Sequence, residues 1–260
     1  MTASVDHAVI NVLYQMDAAV ARFRALGFTL TERGYHSLGS INHLMMFNSD
    51  YLELIGLSHD TERIRQEVAD SPLGLNGLVF RTDDADQLYR QLVTQNVPVE
   101  TPLAFVRPVT VKGVEHRASF RTVRLSPGYA RGGRVYFCEH GTPELVWQAQ
   151  WQRHRNGVHG LAAFVIVLHD PVGESVRYAR IVGGTPRHLS DDESDLALGA
   201  VTIGFLTPAR YRERFGDYGC DAGGRDAFMG ALSLRTSALA LVRQCLAKAV
   251  DVVYGLPEVQ

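Results

Sequence analysis

The pattern of apolar and polar positions over the first 57 residues predicts a strand, a helix and three further strands. Residues 5–12 are short and rich in β-branched side chains, which is typical of a strand. Asp17 can cap a helix that runs to Leu26, where apolar side chains recur every three residues as on a buried helix face. The remaining strands of this β-α-β-β-β unit are predicted at residues 28–32, 43–47 and 51–57.

The same order of elements recurs further along the chain. Residues 75–82 predict a strand, and Asp83 or Asp84 can cap the helix that follows it. Three strands then complete the second unit, at residues 118–125, 134–138 and 143–147.

A third unit and part of a fourth are predicted in the rest of the chain. The third begins with a strand at residues 158–168, after which Asp170 can cap a helix whose first position is Pro171. It continues with strands at residues 196–198 and 200–206, and the partial fourth unit has a strand at 228–236 and a helix at 237–249.

A repeated order of elements predicts the architecture more strongly than any single motif. We therefore expect an α+β fold of repeated βαβββ modules, in which two neighbouring modules curl around a shared cavity. Residues 1–150 would form a first domain with modules at 5–57 and 75–148, and residues 156–260 a second half with one degenerate and one partial module.

Composition narrows the class of protein and of partner. The 26 basic and 28 acidic side chains give a net charge of −2, which gives no reason to expect a nucleic-acid partner. The three cysteines fit a reducing compartment. Neither an apolar run of roughly 20 residues nor a signal-peptide pattern occurs, so a cytoplasmic protein that does not enter the membrane is expected. A homodimer is the expectation from the general frequency of twofold oligomers.

Strand alternation sorts the side chains that could carry chemistry. Because successive residues of a strand point to opposite faces, His7 falls on one face of the first strand and Glu53 on one face of the fourth. Both can point away from the helix, toward a common concave surface. Glu144 holds the same place in the second module as Glu53 does in the first.

Four segments together resemble the glyoxalase-like group of the vicinal-oxygen-chelate superfamily. They are Asp6-His7-Ala8-Val9, Asn42-His43-Leu44, Tyr51-Leu52-Glu53-Leu54 and Thr142-Pro143-Glu144-Leu145-Val146-Trp147. The resemblance implies that paired modules form an open, cup-shaped mixed sheet with its helices outside. It also implies metal ligands on the first and last strand of each module, which here are His7, Glu53, Asn76 and Glu144.

The resemblance implies a metal-dependent enzyme acting on a small substrate with vicinal oxygens, by lyase, isomerase or dioxygenase chemistry. His7, Glu53 and Glu144 would bind Mn, Fe, Co, Ni or Zn, because an imidazole and two carboxylates suit such an ion. Glu53 or Glu144 could instead act as general base. Asn76 departs from the pattern because an amide oxygen is a weak ligand, and His140 is an alternative donor. The side chains expected to contact substrate are Asn42, His43, Asn76 and His140.

Other interpretations of these residues stay open from the sequence alone. His7 could be a buried, hydrogen-bonded histidine, Glu53 could be paired with Arg81 or Arg121, and Glu144 could be solvated. A protein that binds a small molecule without metal is therefore the main alternative function, and Asn76 favours it. A third possibility is an interaction role for the degenerate second half, whose sheet would have an open edge.

Overall fold

Two mixed β-sheets with flanking helices form the computed structural model of the chain, which describes residues 2–60 and 63–254. The first sheet contains β1 (Val5–Leu13), β2 (Gly34–Tyr35), β3 (Ile41–Met46), β4 (Tyr51–Gly56), β5 (Gly74–Arg81), β6 (Leu103–Val111), β7 (Val114–Arg124) and β8 (Arg134–His140). The second contains β9 (Val158–Leu168), β10 (Pro186–Ser190), β11 (Glu193–Leu198), β12 (Val201–Leu206) and β13 (Ala227–Thr236). The helices are α1 (Met16–Ala25), α2 (Gln66–Ala69), α3 (Ala85–Thr94), α4 (Pro171–Val182), α5 (Pro208–Phe215) and α6 (Leu239–Tyr254).

The eight-stranded sheet consists of two βαβββ modules side by side, which confirms the predicted α+β fold. Its strand order is β2-β3-β4-β1-β5-β8-β7-β6. Within each module the first and last strands are parallel, and the two modules meet where β1 and β5 run antiparallel. The outer edges also approach each other, because the Ser37 backbone N–H donates to the Val106 carbonyl at 3.2 Å. The sheet is therefore curled into a nearly closed cup.

The five-stranded sheet repeats this arrangement in part. Its order is β10-β11-β12-β9-β13, with β9 parallel to β12 and antiparallel to β13. Strands β9 to β12 with α4 form a third module, and β13 with α6 form the partial fourth. Asp84 and Asp170 cap their helices as predicted, because their side chains accept the Gln87 and Gly173 backbone N–H groups at 2.8 and 2.9 Å. None of the described helices has the length and apolar character that a membrane span requires.

One hydrophobic core joins the convex side of the cup to the second sheet. Phe80 and Phe137 of the first sheet, and Phe47 directly after β3, belong to the same buried cluster as Phe164 and Phe205 of the second sheet. The concave side of the cup has a separate cluster that includes Val9, Tyr51 and Tyr136. Strand alternation thus directs one face of each strand to the shared core and leaves the other face to line the cup.

The predicted strand at residues 143–147 is wrong. Pro143–Leu145 forms a 3-10 helix, and a second 3-10 helix follows at Ala149–Trp151. Pro143 has no N–H to donate to a sheet, and β8 already pairs with β5 as the last strand of the module. The strand missing from the prediction is β6, an edge strand whose mostly exposed side chains give no buried alternation.

Two further differences concern short edge segments. Residues 28–32 do not form a strand, although Thr31 is fixed on β3 because its backbone N–H donates to the Leu44 carbonyl at 2.9 Å. The strand of this module that follows α1 is instead the two-residue β2. Strand β10 was also not predicted, and its side chains are nearly all exposed. Edge strands with little buried surface have a weak apolar pattern, so their positions depend on the neighbouring strands.

Candidate functional site

The concave face of the cup encloses a small cavity of about 30 Å³. A water molecule needs roughly 10–15 Å³ of such space, so the cavity fits one or two waters or a single ion. Leu145, Val146 and Trp151, from the segment with the two 3-10 helices, pack against the concave-face cluster and cover it. The charged and strongly polar side chains that line the cavity are His7, His36, Asn42, Glu53, Arg65 and Arg107.

His7 lies in this cavity between two carboxylates. Its Nδ1 lies 2.8 Å from Asp6 Oδ2, and its Nε2 lies 3.6 Å from Glu53 Oε2. The ring stacks on Tyr51 with 4.3 Å between ring centroids. Burial by itself lowers the pKa of His7, but the two carboxylates outweigh this effect and raise it above the usual value. The imidazole is therefore fixed in orientation, with Nε2 toward Glu53.

Glu53 is the carboxylate on which the polar groups of the cavity converge. Asn42 Nδ2 donates to its Oε1 at 2.6 Å, and His36 Nε2 lies 4.0 Å from the same oxygen. Burial raises the pKa of Glu53, but His7, His36 and Asn42 lower it more strongly, to about 2. The group is thus an ionised carboxylate at neutral pH although it is only 5% exposed.

His36 approaches Glu53 from the side of the cup opposite His7. Its Nδ1 lies 2.8 Å from Ser40 Oγ, and its ring contacts Phe105 edge to face at 5.5 Å. Burial lowers the pKa of His36 to about 3, with a further contribution from Arg107 and Arg65. The ring is therefore neutral at physiological pH, and its Nε2 is available toward the cavity.

Asp6 connects His7 to a second histidine and to an arginine. Its Oδ2 lies 2.9 Å from His140 Nε2, and its Oδ1 accepts from Arg81 Nε at 3.0 Å. Burial raises the pKa of Asp6, but the hydrogen bonds from His140 and His7 hold it well below the usual range. Asp6 has no opposite residue on β5, because the register shifts between Val5 and His7. Such a bulge re-aims the side chain, which brings Asp6 to the edge of the cavity.

Asp6, Cys138 and His140 place three potential ligand atoms within 4.8 Å of one another. A cation there would lie beside the guanidinium of Arg81, which already neutralises Asp6. Burial also raises the pKa of the Cys138 thiol well above its usual value. Both features make this cluster a poor cation site.

Four of the predicted site residues, Glu144, His140, His43 and Asn76, do not line the cavity. Glu144 is exposed on the 3-10 helix Pro143–Leu145 and lines a neighbouring open cleft of about 580 Å³ together with His140. His43 belongs to the opposite face of β3, where Thr31 and Arg33 contact its two ring nitrogens. Of the predicted residues, the structure brings together His7, Asn42 and Glu53.

The second module supplies few donors to the cavity. Asn76 lies where the register of β1 against β5 shifts again, and its Oδ1 accepts from Arg134 Nε at 3.1 Å. Val79 and Gly77 take the cavity-facing positions of β5, opposite His7 and Val9. On β8 the corresponding face carries Tyr136 and Cys138, which line the cavity. Phenol and thiol groups kept protonated by burial are weak ligands.

Sequence reasoning missed His36 and Arg107 as cavity residues and Asp6 as the partner of His7. The bulge at Asp6 leaves no local sign in the sequence. His36 follows the two-residue β2, and Arg107 lies in β6, which was not predicted. The sequence marks Arg107 only as the one charged residue in the apolar stretch 103–109, and this becomes informative once β6 is known to be a strand.

Comparisons with known proteins agree with this fold. The family model for the glyoxalase-like domain matches residues 5–182. No curated protein matches the sequence significantly. A crystal structure of a hypothetical protein from Staphylococcus aureus superposes with a TM-score of 0.63 at 14% identity, covering 79% of this chain and 86% of that one.

A mutant of 4-hydroxymandelate synthase from Streptomyces coelicolor superposes with a TM-score of 0.59 at 13% identity. The match covers 96% of this chain and 75% of that one. At such identities the two structures support the fold alone. The family model spans most of the chain and both modules of the cup. The chain therefore belongs to the glyoxalase-like domain family of the vicinal-oxygen-chelate superfamily.

Proposed function

We propose that this protein is a metal-dependent enzyme acting on a small molecule with neighbouring oxygen atoms, and that His7, Glu53 and His36 hold the ion. One observation carries the proposal. The Nε2 atoms of His7 and His36 face the two different oxygens of Glu53, at 3.6 and 4.0 Å, around a buried cavity of about 30 Å³. These separations exceed hydrogen-bond length, and the space fits an ion.

The donor set fits a divalent transition metal. Two imidazoles and one carboxylate are a recurrent ligand set for such ions, with positions left open for substrate. The other ring nitrogens of His7 and His36 are held by Asp6 and Ser40 Oγ. Outer partners of this kind fix the tautomer and orientation of a metal-binding histidine. His36 is neutral and Glu53 ionised at physiological pH, which are the forms that bind a cation.

A bound ion would supply Lewis-acid stabilisation of charge on two neighbouring substrate oxygens. The chain's own residues orient the site and enclose it. Asn42 donates to Glu53 and fixes that carboxylate, and Tyr51 stacks on His7. Lyase and isomerase reactions move protons, and Glu53 would be the carboxylate of the cavity that accepts one where it does not hold the ion, whereas a dioxygenase would also need dioxygen as co-substrate.

Metal content tests the proposal directly. The purified chain is incubated in turn with Mn²⁺, Fe²⁺, Co²⁺, Ni²⁺ and Zn²⁺, desalted, and analysed for bound metal. Glu53→Gln and His36→Gln should lose the ion or bind it at least about tenfold more weakly. The matched control is Glu144→Gln, which removes an exposed carboxylate and should retain the ion.

Three results would contradict the proposal. One is stoichiometric metal in Glu53→Gln, provided that circular dichroism shows the variant to be folded. The second is a wild-type protein that takes up none of the five ions. The third is a loss of metal in Glu144→Gln as large as in Glu53→Gln, because it would show that the ion binds outside the cavity.

A metal-free binding protein is the second candidate function. It is favoured by the second module, whose cavity-facing positions carry Gly77, Val79 and Tyr136 instead of an imidazole or carboxylate. In that case His7 and Glu53 form a buried ion pair that shapes the cavity. This function predicts a small organic molecule released from the purified protein on denaturation, detected by mass spectrometry, in a sample without bound metal.

A further inference from the structure

Arg107 is a buried cation without a carboxylate partner. It is the one buried residue of the edge strand β6 and is only 5% exposed. Across the described residues, no carboxylate oxygen lies within 4.0 Å of its guanidinium. The one hydrogen bond it makes there is a long one, from a terminal nitrogen to Asn42 Oδ1 at 3.4 Å. Its Nε is buried and has no partner.

The other arginines on the concave side contrast with it. Arg65, Arg124 and Arg134 all pair with Glu67. A buried charge that is not paired costs several kcal/mol, so such a group usually has a partner that completes it. Burial lowers the pKa of Arg107, which reflects this cost, although a guanidinium stays charged at neutral pH.

Arg107 also lies where the enclosed cavity meets an open cleft. It lines the cavity with His36 and Glu53, and it lines a cleft of about 200 Å³ on its other side. The cleft walls combine apolar side chains, among them Leu145 and Trp151, with the charged Glu32 and Arg33. In both linings, as far as the structure describes them, Arg107 is the shared residue. A molecule in the cleft would therefore reach the cavity at this guanidinium.

The backbone beside Arg107 is shaped to admit its side chain. A Cβ at Gly34 would collide with Asn42 Oδ1 and lie 2.5 Å from Arg107 Cδ. Any larger residue at position 34 would displace the arginine, so the absence of a side chain there is what allows the guanidinium to enter the cavity.

We propose that Arg107 binds a carboxylate of the substrate at the mouth of the cavity, with the rest of the substrate in the cleft. The planar guanidinium offers two parallel N–H groups, which match the two oxygens of a carboxylate. The substrate class is therefore a small carboxylic acid, and Leu145 and Trp151 offer apolar contacts to the part of it next to the carboxylate. This inference rests on the proposed function in taking the cavity as the place where substrate reacts, but carboxylate binding does not require the metal.

Binding of a matched acid and amide tests the inference. The probes are 3-phenylpropionate and 3-phenylpropionamide, which differ in charge and hardly in size. Calorimetric titration of the full chain should show the acid binding at least tenfold more tightly than the amide. Arg107→Gln should reduce affinity for the acid by about 10- to 100-fold and leave affinity for the amide unchanged. Metal content is measured in every sample.

Three further variants separate ligand binding from a structural role. Arg107→Lys keeps the charge but not the paired donors, and should restore only part of the affinity. Gly34→Ala keeps Arg107 but displaces its side chain. It should lower the affinity for the acid without changing the net charge of the protein. The matched control is Arg117→Gln, because Arg117 lies opposite Pro108 on β7 and is exposed. Its affinity for the acid should equal that of the wild type.

The Arg107→Gln variant should also be at least as stable as the wild type, because it removes an unpaired buried charge. Four outcomes would overturn the inference. They are equal affinity for acid and amide, wild-type affinity in Arg107→Gln, no binding of either probe by the wild type, and tighter binding of inorganic phosphate than of the acid. Loss of acid binding in Arg107→Gln at unchanged metal content supports the inference whatever the result of the metal experiment.

Discussion

Removing the charge of Asp6 should destabilise the whole cup. The Asp6 carboxylate is fully buried and interacts with His7 at 2.8 Å, His140 at 2.9 Å and Arg81 at 3.0 Å. Asp6→Asn keeps the shape of the side chain but removes the charge. It leaves Arg81 without its carboxylate and gives the two imidazoles an uncharged neighbour.

The magnitude follows from the burial of this group. Breaking a buried ion pair by removing one partner costs about 3–5 kcal/mol of unfolding free energy, and each charge-assisted hydrogen bond contributes about 1.5–3 kcal/mol. Because the amide can still accept one hydrogen bond, we expect about 3–5 kcal/mol in total rather than the sum over three partners. In a chain of this size the melting temperature should fall by roughly 6–20 °C.

Urea unfolding followed by circular dichroism measures the change, with Asp86→Asn as the matched control. Asp86 also pairs with an arginine, since Arg121 donates to both of its oxygens at 2.8 and 2.6 Å. That pair is exposed, so its loss should change stability little. If Asp6→Asn were no more destabilising than Asp86→Asn, the Asp6 carboxylate would not be the buried ionic centre described here.

Three other substitutions test separate features of the fold. Glu67→Gln should lower the unfolding free energy by about 1–3 kcal/mol at pH 7. Although burial raises the pKa of Glu67, three arginines lower it below its unfolded value, so this stabilisation is full above that value and is lost as pH falls through the folded pKa. The unfolding free energies of the wild type and of Glu67→Gln should therefore converge in acid. A difference between them that stays constant down to pH 3 would refute the pairing of Glu67 with the three arginines. Tyr178→Phe should leave stability unchanged or raise it by up to about 1 kcal/mol in a thermal melt, because the Tyr178 hydroxyl is buried and has no hydrogen-bond partner among the described residues. A clear loss of stability would show that the Tyr178 hydroxyl makes a hydrogen bond in the folded protein. Gly77→Ala should cost about 1–3 kcal/mol in urea unfolding, since its Cβ would lie 2.7 Å from Val9 Cβ, and a neutral result would show that β1 and β5 can separate.

The sequence by itself determined the modules and the first pair of site residues. Apolar periodicity located β1, β4, β5 and β9, and the caps at Asp84 and Asp170 were readable from residue type alone. His7 and Glu53 were placed on one face because strand alternation is a local property and both strands have a strong apolar pattern. Their proximity then follows from the parallel pairing of β1 with β4.

The tertiary structure decided everything that depends on register or on weakly patterned edges. Two register shifts between β1 and β5 direct Asp6 to His7 and Asn76 to Arg134, and no local pattern marks such bulges. His36 and Arg107 reach the cavity from edge segments whose positions are set by their neighbours. Glu144 lies outside the cavity because β8 is already the last strand of its module, and the segment with Glu144 forms a 3-10 helix. Local side-chain direction is thus encoded residue by residue, whereas the cavity is a product of long-range strand pairing.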